Sequence, residues 1–168
     1  MTHAGGGDQW ADETTFHPPS EGIAGAAIAA VRAMEAAVVE SDLDWVTLRG
    51  ALFYGPGTGF DDDWFARARA GKLRLPAEGN DYVSLVHIAD MATATVAAIR
   101  HWPSRQPLIV ADDCPAPWRD VLTYVCAVAG SDPPPPGGRA SMPSFRVKNA
   151  RARELLGWEL YGDRKSVV

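Results

Sequence analysis

The side chains that could carry out chemistry are concentrated between Leu48 and Asp90. This segment holds Tyr54 in a Tyr-Gly-Pro-Gly loop, Arg74 between two leucines, and His87 at the entrance to a helix. A tyrosine or a histidine can donate or accept a proton, and an arginine can reach a carboxylate. Each residue also has a structural interpretation: a loop position for Tyr54, a solvated strand position for Arg74, and a backbone hydrogen bond for His87.

Three consecutive aspartates, Asp61 to Asp63, raise the question of a metal site. Adjacent carboxylates at the start of a helix point in different directions, so they form a poor set of ligands. Their charge complements the helix dipole, which is the interpretation that we prefer. Cys114 and Cys126 lie far apart and outside any CxxC pattern, which favours two reduced, buried thiols. The sequence therefore predicts no metal.

The overall composition is that of a globular protein. The chain has 168 residues, of which 46% are hydrophobic and 22% charged, and this is enough for one compact domain. The net charge of −5 and the pI of about 5.3 argue against binding to nucleic acid or to an anionic membrane surface. No apolar run approaches the roughly 20 residues that span a bilayer. We expect a soluble cytoplasmic protein.

Strand and helix patterns alternate along the chain, which predicts an α/β fold. Residues 1–20 form an extended lead-in, rich in Gly and Pro, and residues 21–168 form a single domain. Helices are predicted at 21–40, from the aspartates to Ala70, and at 90–102, 117–130 and 150–156; strands are predicted at 43–49, 72–75, 82–86 and 108–111. The run Pro133 to Pro136 is interpreted as a stiff spacer without a helix or ladder role.

Four short motifs occur in a specific order, and together they resemble a known family. They are Asp12-Glu13 followed by Pro18-Pro19, the stretch from Leu48 to Gly57, Val86-His87-Ile88-Ala89-Asp90, and Val147 to Trp158, which ends in Leu-Gly-Trp. The chain resembles the second half of an extended short-chain dehydrogenase/reductase of the NAD-dependent epimerase/dehydratase type. The resemblance implies a truncated Rossmann-like fold that lacks the N-terminal dinucleotide-binding half.

Three departures from the family pattern bear on function. No Gly-rich fingerprint follows a strand, so the chain alone is not expected to bind NAD(P). The positions of the family's Tyr and Lys, counted back from Glu35, are Ala27 and Val31, which cannot transfer a proton. Where sugar-nucleotide members carry a diphosphate-binding Arg, this chain has Val83, which argues for a less anionic, more apolar substrate.

The resemblance also implies a pocket for a small organic molecule. His87, Tyr54 and Tyr82 are the candidate proton donors or acceptors. The candidate substrate contacts are Leu52, Phe60, Trp64, Arg74 and Val83. The favoured hypothesis is an isomerase, cyclase or lyase that needs no cofactor. The alternatives are a non-catalytic binding or partner subunit, and one half of a split oxidoreductase that would use NAD(P) supplied by a partner chain.

The predicted strand 43–49 and helix 21–40 lie next to the half that the resemblance says is absent. An apolar strand edge without a neighbour invites pairing with another chain. The sequence therefore predicts an oligomer that uses this strand and helix, either a homodimer or a complex with a partner chain.

Overall fold

The computed structural model describes residues 8–15, 22–139 and 144–160. Within these ranges the chain is a mixed α/β structure with five helices and eight short strands. The elements in chain order are β1 (Trp10–Ala11), α1 (Gly22–Val39), β2 (Val46–Gly50), β3 (Leu52–Tyr54), α2 (Phe60–Arg69), β4 (Tyr82–Val83), β5 (Leu85–His87), α3 (Ile88–His101), β6 (Gln106–Val110), β7 (Ala116–Pro117), α4 (Trp118–Ala129), β8 (Arg146–Val147) and α5 (Ala150–Leu156).

Parallel strand pairs connected through helices organise the fold, as predicted for an α/β protein. β2 pairs with β6 in a register that runs from Val46 opposite Gln106 to Gly50 opposite Val110. β3 pairs with β5, and β1 with β8, also in parallel, whereas β4 and β7 are antiparallel. These pairings bring the carboxyl ends of β3 and β5 together.

The hydrophobic core is built around β6. Leu108, Ile109 and Val110 are essentially inaccessible to solvent, and α5 packs on this strand. Buried faces of α3, α4 and α5 complete the core with Ala94, Ala98, Val121, Leu122, Val125, Ala152 and Leu156. A strand that is covered on both faces carries a continuous apolar run, which β6 does with its Leu-Ile-Val sequence.

The prediction of a strand at 72–75 is wrong. These residues belong to no strand. From Leu75 onward the backbone instead forms hydrogen bonds with the proline-rich segment 131–139, here called the proline strap. Leu75 N donates to Pro135 O (2.9 Å), Gly138 N donates to Leu75 O (2.8 Å), and Ala77 N donates to Gly138 O (2.9 Å). The strap is therefore more than a spacer, because its carbonyls and amides satisfy a segment that would otherwise need a strand partner.

The predicted strand 82–86 is divided in two at the buried residue Ser84. The Ser84 hydroxyl accepts a hydrogen bond from Val147 N (3.0 Å) and donates one to Phe145 O (3.3 Å). This side chain thereby ties the β4–β5 junction to β8. A second correction concerns the thiols: Cys126 is buried as predicted, but Cys114 is exposed.

The helix α1 and the strand β2 form a poorly covered face. All five residues of β2 are half-buried, and Gly25 is the one buried residue of α1 among those with described side chains. Met34 on α1 and Leu43 before β2 are 60% and 70% exposed. What holds α1 to β2 is an ion pair in which Arg49 donates from Nε and Nη2 to the two carboxylate oxygens of Glu35, at 2.8 and 2.9 Å.

Candidate functional site

Polar side chains meet where three strands end. Tyr54 is the last residue of β3, His87 is the last residue of β5, and Asp112 follows β6 by two residues. Asp112 N donates to Leu85 O (2.7 Å), which draws the end of β6 against β5. In open α/β sheets, ligands bind in the crevice outside the carboxyl ends of the strands. This cluster therefore occupies the position at which the fold type places its chemistry.

Tyr54 is the centre of this cluster. Its hydroxyl donates to Asp112 Oδ2 at 3.1 Å, and its ring meets the His87 imidazole edge-on, with centroids 5.1 Å apart. A carboxylate beside a phenol can accept the phenolic proton, so the pair is suited to proton transfer. Sequence reasoning missed Asp112, because nothing local indicated that the end of β6 returns to β3 and β5.

His87 has a structural task that limits its chemistry. It is the N-cap of α3, where Nδ1 accepts a hydrogen bond from Ala89 N at 3.2 Å. An Nδ1 that accepts must carry no proton, so a neutral ring holds its proton on Nε2. Nε2 in turn faces Gly55, where an added Cβ would lie 2.6 Å away, and the backbone has φ +108°. A side chain at Gly55 would therefore displace His87.

The aspartates after the glycine loop fix that loop in place. Asp61 Oδ2 accepts a hydrogen bond from Gly55 N (2.7 Å), and Asp61 Oδ1 accepts one from the Thr58 hydroxyl (3.3 Å). Asp63 pairs with Arg67 one turn further along α2, at 3.4 Å. No group of three His, Cys, Asp or Glu side chains in the described ranges could hold a metal ion.

A second constellation lies between α2 and α4. Trp64 and Trp118 meet edge to face with ring centroids 5.7 Å apart, and both line a cavity of about 130 Å³. Arg67, Arg74 and Arg139 also line this cavity. The sequence reasoning missed Trp118. The available signal was that two helices, α2 and α4, each carry a tryptophan near their start.

The remaining sequence candidates lie elsewhere. Tyr82 and Trp10 both contact Arg146. The guanidinium carbon of Arg146 lies 4.3 Å from the centroid of the Tyr82 ring and 4.5 Å from that of the Trp10 ring. Leu52 and Val83 are buried in the core. The side chain of Phe60 lies outside the described part of the chain. The functional roles of these residues stay predictions.

Comparison with known proteins places this chain in a family. Its residues 3–110 match the family described as NAD dependent epimerase/dehydratase. The chain belongs to this family. One relative, the 3-diazoavenalumate denitrifying reductase of Streptomyces sp, is 35% identical over 149 residues, which cover 80% of this chain and 49% of that protein.

Solved structures show the same fold. A conserved protein of unknown function from Silicibacter pomeroyi is 28% identical with a TM-score of 0.70, over 90% of this chain and 55% of that one. The UDP-glucose 4-epimerase of Thermotoga maritima, solved with UDP-glucose, is 20% identical with a TM-score of 0.70, over 89% and 51%. The chain thus spans about half the length of the proteins it matches.

The family name implies a nicotinamide dinucleotide, and the glycine loop that leads into α2 does not fit its pyrophosphate. One strand–glycine loop–helix unit is present, in which β3 leads through Gly55, Gly57 and Gly59 into α2. A helix N-terminus favours phosphate when its amides are free and its first turn is not acidic. Here Gly55 N is already bound by Asp61, and the first turn of α2 carries three carboxylates that would repel a phosphate. On α1, the sequence predicts that Ala27 and Val31 stand at the positions of the family's Tyr and Lys.

Within the described ranges, no helix combines the length and apolarity that a membrane crossing requires.

Proposed function

We propose that this chain binds a small, largely apolar organic molecule at the strand ends and acts on it as an isomerase, cyclase or lyase without a nicotinamide cofactor. The observation that carries the proposal is the hydrogen bond from Tyr54 to Asp112 at the carboxyl ends of the parallel strands. A cytoplasmic location is part of the proposal.

In this proposal the Tyr54 oxygen takes a proton from a substrate C–H bond while its own proton passes to the Asp112 carboxylate through the 3.1 Å hydrogen bond between them, and the reverse transfer returns a proton to the substrate. The edge-on contact with His87 fixes the plane of the Tyr54 ring, so His87 positions rather than transfers. A positioned acid or base of this kind typically contributes a factor of about 10² to 10⁴ to the rate.

Deuterium exchange tests this proton transfer on small aryl compounds that carry an acidic C–H bond, whatever product they give. β,γ-Unsaturated aryl carboxylates are incubated with the protein in D₂O, and deuterium uptake at the carbon next to the carboxylate is followed by NMR. We expect the wild type to catalyse exchange and Tyr54→Phe to lose about 10²-fold or more of it. Tyr124→Phe is the matched control, because Tyr124 lies on the exposed side of α4. Exchange that Tyr54→Phe leaves unchanged would remove the proposed role.

Calorimetric titration with NADH and NADPH tests the cofactor part of the proposal. We expect no binding by this chain, since the glycine loop is closed by Asp61. Micromolar binding would contradict a cofactor-independent reaction. Such binding would favour the oxidoreductase alternative, which the similarity to a denitrifying reductase also supports.

A second candidate function, that of a partner subunit, is favoured by the poorly covered face of α1 and β2. The outer edge of β2 has no partner strand among the described residues, and Met34 and Leu43 next to it are exposed. We propose that a nucleotide-binding half of the family fold covers this face, because the matched relatives are about twice as long as this chain. A homodimer through the same face is the competing outcome.

Multi-angle light scattering tests the second candidate. The proposal predicts that the chain binds a nucleotide-binding half through the α1–β2 face, and self-association through that face would favour the homodimer instead. A compact monomer at micromolar concentration that captures no such half would contradict it.

A further inference from the structure

The cavity between α2, α4 and the proline strap has a composition unlike the rest of the surface. Its lining includes three arginines and one carboxylate, Asp81, so its formal charge is +2 (3 − 1) in a chain whose net charge is −5. Its floor is aromatic, formed by Trp64 and Trp118. We propose that this cavity is a binding site for a ligand that carries one aromatic ring and a carboxylate.

The aromatic floor sets the shape of the ligand. Trp64 and Trp118 stand perpendicular to each other, with an interplanar angle of 90°, and both line the cavity. Leu73 and Leu122, both buried, supply apolar contacts beside them. The volume of about 130 Å³ is close to the roughly 150 Å³ of an apolar cavity that holds benzene. A single aromatic ring has the size that this volume accommodates.

The arginines define the charge of the ligand. Arg74 is fixed through Nη1, which donates to Gly71 O (2.9 Å) and Leu73 O (2.8 Å). No carboxylate of the described residues lies within 4 Å of Arg74 or Arg139, so neither guanidinium is neutralised by an ion pair there. Arg67 pairs with Asp63 across an exposed 3.4 Å contact, which a ligand can replace at little cost. A planar guanidinium recognises a planar carboxylate through two parallel hydrogen bonds.

The proline strap makes the cavity wall rigid before any ligand binds. Gly138 lines the cavity and lies so close to the neighbouring chain that an added Cβ would be 2.8 Å from Leu75 O. Backbone hydrogen bonds from Gly138 in both directions hold it against Leu75 and Ala77. A wall that is already ordered costs less entropy when the ligand binds.

This inference deepens the proposed function, on which it rests for the view that the chain has a small-molecule ligand. It concerns binding, whereas the deuterium-exchange experiment concerns turnover at Tyr54. The two proposals therefore fail separately. A protein without turnover at Tyr54 can still bind an aryl carboxylate in the cavity, and a protein with turnover can bind its substrate without the cavity arginines.

Calorimetry with benzoate and trans-cinnamate, each compared with its amide, tests the inference. We expect dissociation constants of about 1 mM or tighter for the acids, and binding of the amides that is about 10-fold weaker. Arg74→Gln should weaken the acids about 10-fold and leave the amides unchanged. Arg69→Gln is the control, since Arg69 lies on α2 over Phe65 and does not line the cavity.

Several results would overturn the inference. They are equal affinity for acid and amide, an effect of Arg69→Gln as large as that of Arg74→Gln, or binding of UDP-glucose in place of the aryl carboxylates. The acid–amide comparison uses the wild type, so the inference stays testable if a variant folds poorly.

Discussion

The two outer edges of the β2–β6 pair are finished in different ways. Along β6, Ile109 N donates to Glu13 Oε1 at 2.9 Å, Pro107 has no N–H, and Ala111 O accepts from the Asn149 amide at 2.7 Å. Along β2, Trp45 O and Ala51 N both bond toward β6, to Arg105 N and Val110 O. Since successive residues of a strand point to opposite edges, Val46 and Leu48 direct their N–H and C=O groups outward.

This difference shows which outer edge of the β2–β6 pair has hydrogen-bond partners for its backbone groups. The β6 edge is closed by a carboxylate from the lead-in, an imino acid and a side-chain amide, all supplied by the chain itself. The β2 edge has no such device among the described residues, and β2 is half-buried where β6 is buried. An apolar edge left in this state is suited to continuation by another strand.

The largest expected difference is between Leu108 and Leu48, which lie opposite each other in the β2–β6 register. Leu108→Ala removes a fully buried side chain and should lower the free energy of unfolding by about 2–5 kcal/mol. Leu48→Ala removes a half-buried one and should cost about 1 kcal/mol in the isolated chain. Urea titrations of both variants measure the contrast. Equal losses would show that β2 is as well covered as β6.

The closed edge can be opened by changing Glu13, which is buried. Glu13→Ala leaves Ile109 N without its acceptor and should lower the free energy of unfolding by about 1–3 kcal/mol. Glu13→Gln retains an amide oxygen in the same place, so its loss should be below about 1 kcal/mol. Thermal unfolding of the two variants distinguishes them, and an alanine variant as stable as the glutamine variant would argue that the hydrogen bond does not matter.

The open face should respond in the opposite way. Met34→Glu and Leu43→Glu place charge on exposed positions, so the isolated chain should change in stability by no more than about 0.5 kcal/mol. Association measured by light scattering should nevertheless be lost. Val128→Glu, at an exposed position on α4, serves as the control and should leave association intact. Association that survives the first two substitutions would place the interface elsewhere.

The smallest effect concerns the start of β2, which Asp44 fastens to the segment between α3 and β6. Hydrogen bonds from the Ser104 hydroxyl and from Trp102 Nε1 lower the pKa of the Asp44 carboxyl. A lowered pKa in the folded state means that the contribution to stability is present above the ordinary aspartate pKa and is lost as the pH falls through the lowered value. An NMR titration of the Asp44 carboxyl carbon should show this low midpoint. An ordinary midpoint would mean that the two bonds do not form in solution.

Much of the fold could be predicted because its signals are local. The helix Ala150–Leu156 followed by Gly157, and the helix that ends before Pro103, are marked by residues within one turn of their ends. The strand predicted at 72–75 failed for the opposite reason. Its alternating Leu-Arg-Leu pattern is explained by the proline strap, about sixty residues away in sequence, and no local pattern reports such a pairing.

The candidate site shows the same division. Tyr54, His87, Trp64 and Arg74 could be named as candidates from the sequence because they lie within or beside recognisable motifs. Asp112, Trp118 and Glu13 were missed as functional or structural partners, since each acquires its partner through the tertiary fold: Tyr54, Trp64 and Ile109 respectively. Residue type and spacing therefore singled out Tyr54 and Trp64 but not the residues that pair with them.

Amide hydrogen exchange tests most directly the central proposal, that another strand covers the outer edge of β2. In the monomeric fraction of the isolated chain, the amide of Leu48 should exchange much faster than that of Ile109, and it should become protected when the α1–β2 face is occupied. Equal, slow exchange of both amides in the monomer would contradict the account.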